Sequence, residues 1–229
     1  MGKVVEQVAV SRGHQVVARL DQPADWAKAT RSSFTDTVVI DFTVPSDVVT
    51  NIRNCFDLKV PVVVGTTGWY ENLPIVRKWA EEEKQAILFA PNFSLGVNIL
   101  FELSRLLAKL LNQAPSYDIS IEETHHIHKL DAPSGTAITI AEIILSELKR
   151  KNHWVNQPSK DKKKLQIISH RIDEIPGIHQ ITCESPADKL VIYHEAKDRS
   201  GLALGAVMAA EWLKGKTGFF GMKDMLGLG

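Results

Sequence analysis

The sequence has few cysteines, and this limits the kinds of protein it can encode. Cys55 and Cys183 are the only two among 229 residues. Two cysteines so far apart cannot build the disulfide framework of a small secreted domain, and they lack the close pairs of a zinc ribbon. Because this usage fits a reducing compartment, we expect a cytoplasmic protein.

An excess of charge and long apolar runs are also missing. Lys plus Arg and Asp plus Glu each number 27, so the formal net charge is +0 and no basic surplus is available to neutralise a phosphate backbone. No apolar run approaches the roughly 20 residues of a membrane span, and no basic start leads into a short apolar signal core. We therefore expect neither nucleic acid nor a membrane as a partner.

What is present is an ordinary globular composition, 44% hydrophobic and 24% charged, which predicts one large domain or two small ones. Continuous, mostly β-branched runs, typical of strands buried on both faces, are residues 16–20, 37–42, 60–65 and 86–89. Helical spacing is found at residues 2–11, 46–58 and 73–84. Strands that alternate with helices predict a parallel sheet, with ligands bound where the carboxyl ends of strands meet loops.

The pattern changes near residue 95. Helical patterns cover residues 97–111, 136–150 and 202–214, and strand patterns cover residues 117–123, 165–172, 178–184 and 190–195. Because successive strands are joined by short connections here, we expect an antiparallel or mixed sheet and an α+β region.

The segment from Glu122 to Thr136 contains three histidines, a lysine and several carboxylates between a strand end and a helix start. Three interpretations remain open. A metal site is disfavoured because the HExxH arrangement is absent and His125 and His126 would point in opposite directions on a strand. A plain polar loop is the second. The third is acid/base chemistry, since a histidine titrates near neutral pH and Lys129 could hold an anion or donate a proton.

Ser134, Gly135 and Thr136 directly precede a predicted helix. The first N–H groups of a helix lack intrahelical acceptors, so this position can bind a carboxylate or phosphate. The alternative is an ordinary Ser or Thr N-cap.

Two turns follow neighbouring predicted strands and could line a planar ligand, although each could also be a simple connection. The turns consist of Gly65, Thr66, Thr67 and Gly68, and of Ala90, Pro91, Asn92 and Phe93. Asp21 ends the run 16–20, where an acid can bind a ribose hydroxyl. However, no GxGxxG motif is present.

Together these residues resemble the 4-hydroxy-tetrahydrodipicolinate reductase (dihydrodipicolinate reductase) family over essentially the whole chain. The matching motifs are Glu123-x-His125-His126-x-His128-Lys129-x-Asp131-Ala132-Pro133-Ser134-Gly135-Thr136-Ala137, Gly65-Thr66-Thr67-Gly68, Ala90-Pro91-Asn92-Phe93-Ser94-x-Gly96-Val97-Asn98 and His194-Glu195-Ala196-x-Asp198-Arg199. The first of these is long and specific.

The resemblance implies an α/β fold with a Rossmann-like dinucleotide-binding domain, here 1–96 with 200–229, and an α+β substrate-binding and tetramerisation domain at 97–199. It implies reduction of 4-hydroxy-tetrahydrodipicolinate, a cyclic dicarboxylate, to tetrahydrodipicolinate by hydride transfer from NADH or NADPH in lysine and diaminopimelate biosynthesis. It also implies a homotetramer, and no metal.

The resemblance further implies individual roles. By this resemblance, His125 is expected to be the general acid/base and Lys129 the assisting proton donor. Substrate contacts are expected from His126, Ser134, Gly135 and Thr136. Cofactor contacts are expected from Asp21, Gly65, Thr66, Thr67, Ala90, Pro91, Asn92 and Phe93.

The sequence departs from the family at two places. Gln22 and Val44 stand where other members carry basic residues suited to a 2′-phosphate, so we expect NADH to be weakly favoured over NADPH. The family's first strand and most of its glycine-rich turn have no counterpart before Met1, and we expect weaker dinucleotide binding as a result. A non-catalytic nucleotide sensor and a zinc-dependent hydrolase remain as alternatives.

Overall fold

A computed structural model describes residues 1–21 and 23–228. In chain order the helices and strands are α1 (Gly2–Ser11), α2 (Pro23–Trp26), β1 (Val39–Asp41), α3 (Val48–Asp57), β2 (Val62–Val64), α4 (Leu73–Glu82), β3 (Ala86–Phe89), α5 (Leu95–Leu111), β4 (Asp118–His125), α6 (Gly135–Glu147), β5 (His153–Val155), β6 (Lys164–Arg171), β7 (Ile178–Glu184), β8 (Lys189–Glu195), α7 (Ser200–Leu213), β9 (Gly218–Phe220) and α8 (Met222–Leu226). The chain divides into a first unit, Met1–Leu95 with Ser200–Gly229, and a second unit, Gly96–Arg199.

The first unit contains a parallel sheet in the order β1-β2-β3-β9. All three residues of β2 are buried, because one face of the sheet packs against α3 and α4 and the other against α7. Burial on both faces explains why its sequence is an unbroken run of valines. The predicted α/β architecture with a parallel sheet is confirmed.

The strand predicted at residues 16–20 is wrong. The described residues of this run form no ladder, and Val17 is 51% exposed. A β-branched run becomes a strand only when a neighbouring strand accepts its backbone hydrogen bonds, and β2 is the only strand paired with β1 among the described residues. Asp21 therefore does not end a strand, and Gln22 lies outside the described residues.

The second unit contains a sheet in the order β5-β6-β4-β7-β8. The sequence predicted an antiparallel or mixed sheet, and the observed sheet is mixed. Its central strand β4 runs parallel to β6 and antiparallel to β7. One face of the sheet packs against α5 and α6 around Ile121, Leu165 and Ile181. Among the described residues, the other face carries no helix of this unit.

The register of this sheet determines where the polar residues lie. Buried and less buried residues alternate along β4, so Ile119, Ile121, Glu123 and His125 share the core-facing side. The apolar half of this row packs against the helices. The polar half, Glu123 and His125, lies at the carboxyl end of the strand, where its side chains can serve as a catalytic or binding site.

Candidate active site

Glu123 and His125 form a buried pair at the end of β4. Residues two apart on a strand point to the same face, and here the Oε2 atom of Glu123 contacts the Nδ1 atom of His125. Glu123 is fully buried. The pair joins a carboxylate directly to an imidazole, the arrangement that orients a histidine for proton transfer.

Arg171 holds the other oxygen of Glu123. It ends β6 beside His125 in the register, and its Nη1 atom lies 3.0 Å from Oε1 of Glu123. Burial favours the neutral carboxylic acid, but hydrogen bonds from His125, Ser169 and Arg171 outweigh it and lower the pKa of Glu123 to about 2. Glu123 is therefore ionised at neutral pH.

Two further histidines extend this cluster across the sheet. His179 on β7 pairs in register with Glu123 and with His194 on β8. The rings of His125 and His179 meet edge to face with centroids 5.2 Å apart. Burial, and then the nearby His125, lower the pKa of His179 to about 3, and burial lowers that of His194. His179 is thus a neutral imidazole at neutral pH.

The loop between β4 and α6 carries Lys129, the predicted assisting proton donor, and His126, a predicted substrate contact. Lys129 makes an ion pair of 2.8 Å with Asp131, and the pKa of Asp131 is lowered by this contact despite an opposing effect of burial. His128 lies in solvent and faces Glu174 at 3.2 Å. The Nδ1 atom of His126 is buried and has no hydrogen-bond partner among the described residues, so it remains available to a ligand.

The N-terminus of α6 belongs to the same cluster. Ser134 is its N-cap, with Oγ accepting from the Ala137 N–H at 3.2 Å, and Oγ also lies 3.2 Å from Nε2 of His179. The Ser134 N–H points at Oε1 of Glu123, 3.4 Å away. A Cβ added to the exposed Gly135 would meet nothing within 4 Å. The N-cap and the open helix terminus are therefore both present.

In the first unit, the turn after β2 is built around a buried carboxylate. Gly65 cannot carry a side chain, because a Cβ there would lie 2.1 Å from the ring of Phe42. Thr66 is buried and its Oγ1 donates to Oδ1 of Asp41 at 2.7 Å. Thr67 is exposed. The turn therefore holds a fixed backbone with one side chain free for a ligand.

The turn after β3 lies beside it, since Val64 and Phe89 are register partners. Ala90 is buried and donates its N–H to the carbonyl of Val64 at 3.2 Å. Pro91 is exposed, Asn92 accepts from the Ser94 N–H at 2.8 Å, and Phe93 is buried. Asp21 is exposed and its N–H donates to Asp25 at 3.0 Å.

These residues fit a nicotinamide dinucleotide. Two parallel strands end side by side, and the turns that follow combine a glycine against an aromatic ring with exposed Thr67 and Pro91. The carboxyl edge of a parallel sheet is where such folds bind planar ligands. No group of three or more His, Cys, Asp or Glu with metal-binding geometry is found in residues 1–21 and 23–228. Within those ranges no helix has the length and apolar character needed to cross a membrane.

Comparison with known proteins identifies the family. Residues 1–93 match the family described as dihydrodipicolinate reductase, N-terminus, and residues 96–226 match dihydrodipicolinate reductase, C-terminus. The chain belongs to the dihydrodipicolinate reductase family. Its members are oxidoreductases that depend on a nicotinamide dinucleotide, and this chain is a 4-hydroxy-tetrahydrodipicolinate reductase of lysine and diaminopimelate biosynthesis. The alternatives of a silent sensor and a zinc hydrolase are not favoured.

Individual relatives agree with this assignment. A 4-hydroxy-tetrahydrodipicolinate reductase of Christiangramia forsetii is 44% identical over 226 residues, which cover 99% of this chain and 93% of that protein. One from Neisseria gonorrhoeae is 37% identical and covers 83% of this chain and 72% of its own length.

Solved structures agree at the level of fold. A dipicolinate-bound dihydrodipicolinate reductase from Paenisporosarcina sp. TG-14 matches with a TM-score of 0.68 and 25% identity over 82% of this chain and 72% of that chain. An amine dehydrogenase from Mycobacterium smegmatis has a TM-score of 0.57 and 10% identity over 96% of this chain and 91% of its own. The second likeness concerns the fold alone.

Sequence reasoning assigned no role to several residues of the site. Glu123 appeared only as part of a motif, although its spacing of two from His125 on a predicted strand could have placed both on one face. Arg171 and His179 were not identified, because their partners lie far away in the sequence. Asp41 was not identified either, and its partner in the turn after β2 is Thr66.

Proposed function

We propose that His125 is the general acid/base of this reductase and that Lys129 assists it as a proton donor. The observation that carries the proposal is the buried pair of Glu123 and His125 at the end of β4, in contact with the N-terminus of α6 through Ser134. The pair lies beside a cationic loop residue within one unit. A reduction that adds hydride to a ring carbon needs a proton at the neighbouring atom, and an oriented imidazole supplies it.

The dicarboxylate substrate is recognised by complementary charge. One carboxylate accepts hydrogen bonds from the free N–H groups of Gly135 and Thr136 at the start of α6, where the helix dipole also favours an anion. Lys129 and the buried Nδ1 of His126 contact the rest of the molecule. Ser134 contributes through its N-cap, which fixes the helix start.

The dinucleotide, when bound, supplies the hydride. In our proposal Gly65, Thr66 and Thr67 contact it on one side, and Ala90, Pro91, Asn92 and Phe93 on the other. These residues orient the planar ring at the edge of the sheet and exclude water from it. Their buried members, Thr66, Ala90 and Phe93, keep both turns rigid.

NADH is the favoured cofactor in this proposal. Asp21 accepts hydrogen bonds from ribose hydroxyls and repels a 2′-phosphate, and no basic residue follows at Gln22 or Val44. Measured catalytic efficiency with NADH should equal or exceed that with NADPH. A tenfold advantage for NADPH would overturn the preference.

The units take separate roles in the proposal. Residues 1–96 with 200–229 bind the dinucleotide, and residues 97–199 bind substrate. The second part also builds a homotetramer through the sheet face that carries no helix of its own unit among the described residues. The working compartment is the cytoplasm, which suits two buried free thiols.

Binding experiments test the substrate site apart from turnover. Dipicolinate, which the Paenisporosarcina enzyme binds, is a planar dicarboxylate probe. Calorimetric titration of this chain with dipicolinate should show an affinity that falls at least tenfold in Lys129→Ala and stays unchanged in Lys162→Ala, a lysine of the polar loop before β6. An equal loss of dipicolinate affinity in both variants, or wild-type affinity in both, would contradict the assigned site.

A further inference from the structure

We propose that Glu123, held by Arg171, is a positioning residue that fixes the tautomer of His125. It keeps the proton on Nδ1 and leaves Nε2 as the atom that exchanges a proton with substrate. The inference deepens the proposed function, because it rests on the role assigned there to His125.

The first observation is that both oxygens of Glu123 are engaged. Oε2 contacts Nδ1 of His125, while Oε1 lies 3.0 Å from Nη1 of Arg171 and 3.4 Å from the Ser134 N–H. An ionised carboxylate only accepts hydrogen bonds. The Nδ1 atom of His125 must therefore be the donor, so the ring lone pair, or a second proton, is at Nε2.

The second observation is that several contacts hold Arg171 in place. Its guanidinium also donates to three backbone carbonyls, those of Lys129 at 3.3 Å, Asp131 at 2.5 Å and His170 at 2.6 Å. Arginine has donors and no acceptor. The atom that faces Nη1 of Arg171 must consequently be a hydrogen-bond acceptor. An amide that replaces the Glu123 carboxylate must therefore place its oxygen, and not its NH2 group, at the position of Oε1.

The third observation concerns the Nε2 end of His125. A Cβ added to Gly177 would lie 3.0 Å from Nε2, so a side chain at this position would crowd the nitrogen that exchanges the proton. Two groups contact the ring itself, Glu123 on β4 and His179 on β7. Arg171 on β6 lies behind them against Glu123, and His194 on β8 and Lys129 in the loop act on His179. His179 is neutral, so it does not compete as a cation.

The decisive variant is Glu123→Gln. Because Arg171 and the Ser134 N–H demand the amide oxygen, the amide NH2 is turned toward His125 and donates to Nδ1. This stabilises the opposite tautomer, with the proton on Nε2. The equivalent change in the Ser-His-Asp triad leaves geometry intact and lowers kcat about ten-thousandfold. We expect a fall in kcat of about a hundred- to ten-thousandfold, with substrate KM and dinucleotide Kd changed less than threefold.

A spectroscopic signature separates this role from a structural one. Nitrogen NMR of protein labelled with ¹⁵N-histidine reports which ring nitrogen carries the proton, and His125→Ala assigns the signal. Wild type should show a protonated Nδ1 for His125, and Glu123→Gln a protonated Nε2. Glu174→Gln is the matched control, because Glu174 faces the exposed His128 at 3.2 Å. It should leave kcat and the His125 signal unchanged.

Two further variants keep the inference testable if Glu123→Gln does not fold. Glu123→Asp retains an acceptor and should recover activity above Glu123→Gln. Arg171→Lys retains the charge without the fork and should lower kcat more than KM. A Glu123→Gln or Arg171→Lys enzyme with wild-type kcat, or a wild-type His125 that carries its proton on Nε2, would overturn the inference. If His125→Ala itself kept wild-type kcat, the proposed function would fail first.

Discussion

His179 is a neutral imidazole enclosed in the second unit, and its burial couples stability to pH. An unfolded histidine binds a proton below its ordinary pKa of 6.5, whereas folded His179 does so only near pH 3. The unfolded state therefore binds more protons between these values, and the free energy of unfolding falls as the pH drops through this window. His194 acts in the same direction.

Glu123 adds a separate window at lower pH. Its folded pKa of about 2 lies below the ordinary 4.5, so the stability it contributes is complete above pH 4.5 and is lost as the pH falls toward 2. The interval from pH 6.5 to 5 consequently reports on the buried histidines and not on Glu123.

We predict that His179→Gln flattens the pH dependence of stability between pH 6.5 and 5. One proton contributes at most about 1.4 kcal/mol per pH unit to the slope of the free energy of unfolding against pH. The variant should remove a large part of this contribution. Urea denaturation at several pH values measures it. His153→Gln, at an exposed position, is the control and should keep the wild-type slope; an unchanged slope in His179→Gln would contradict the buried neutral state.

Asp41, at the end of β1, accepts four hydrogen bonds and so helps to fix the turn after β2. Oδ1 accepts from the N–H of Thr43 at 3.0 Å, from Oγ1 of Thr43 at 2.9 Å and from Oγ1 of Thr66 at 2.7 Å. Oδ2 accepts from Nδ2 of Asn51 at 2.8 Å. Without this carboxylate, the N–H of Thr43 and the hydroxyls of Thr43 and Thr66 would lose the acceptor they have at the end of β1.

We predict that Asp41→Asn lowers stability by about 1 to 3 kcal/mol and weakens dinucleotide binding several-fold. The new amide brings a donor against Asn51 and removes a charged acceptor from a buried site. Thermal unfolding and fluorescence titration with NADH measure the two effects. The control is Asp47→Asn, at an exposed position in the segment that follows β1; it should change neither stability nor NADH binding. An Asp41→Asn protein that binds NADH with the wild-type Kd would contradict a role for this hydrogen-bond network in dinucleotide binding.

At the scale of elements, the start of α6 gives a test of anion binding. Gly135 has open space around a would-be Cβ and a conformation that alanine can adopt. Gly135→Ala should therefore leave thermal stability unchanged or slightly raised. The added methyl should nevertheless raise the substrate KM, because it obstructs approach to the free N–H groups.

Gly201→Ala is the matched control for this prediction. Gly201 also lies in the first turn of a helix, α7, and also has nothing within 4 Å of a would-be Cβ. Its KM should match wild type. If Gly135→Ala also kept the wild-type KM, the carboxylate would not bind at the start of α6.

The elements themselves were predictable to different degrees. Strand β2 has a strongly apolar pattern and helix α5 a long one, so the sequence predicts both, with small errors at their ends. The run 16–20 has the same composition but no partner for its backbone among the described residues, so composition alone misled. Strand β9, Gly218–Phe220, was missed because three residues carry no periodicity and become a strand only by pairing with β3.

The candidate site was predictable where it is local in sequence. His125, Lys129 and the start of α6 fall within one short segment whose residue types indicate acid/base chemistry. Arg171 and His179 were beyond reach, because 48 residues separate Arg171 from Glu123 and 45 separate His179 from Ser134. Only the register of β6, β4 and β7 brings these groups together.

At the scale of the whole molecule, the sheet face of the second unit that lacks a helix should form an interface between copies. Val191 and Tyr193 on β8 are 42% and 53% exposed, a high exposure for large side chains on a sheet. We predict that wild type forms the proposed homotetramer and that Val191→Glu forms smaller species, as measured by light scattering. Val10→Glu, on α1 and 57% exposed, should leave the mass unchanged. A monomeric wild type would contradict the interface.

The most direct test of the account is the turnover of His125→Ala and Lys129→Ala beside wild type. The assay follows nicotinamide absorbance, with 4-hydroxy-tetrahydrodipicolinate supplied by the preceding synthase and the dinucleotide Kd measured separately. Loss of a positioned proton donor typically costs a hundred- to ten-thousandfold, so kcat should fall by about that factor in each variant while the Kd stays within threefold. Wild-type kcat in both variants would contradict the central claim that this cluster delivers the proton.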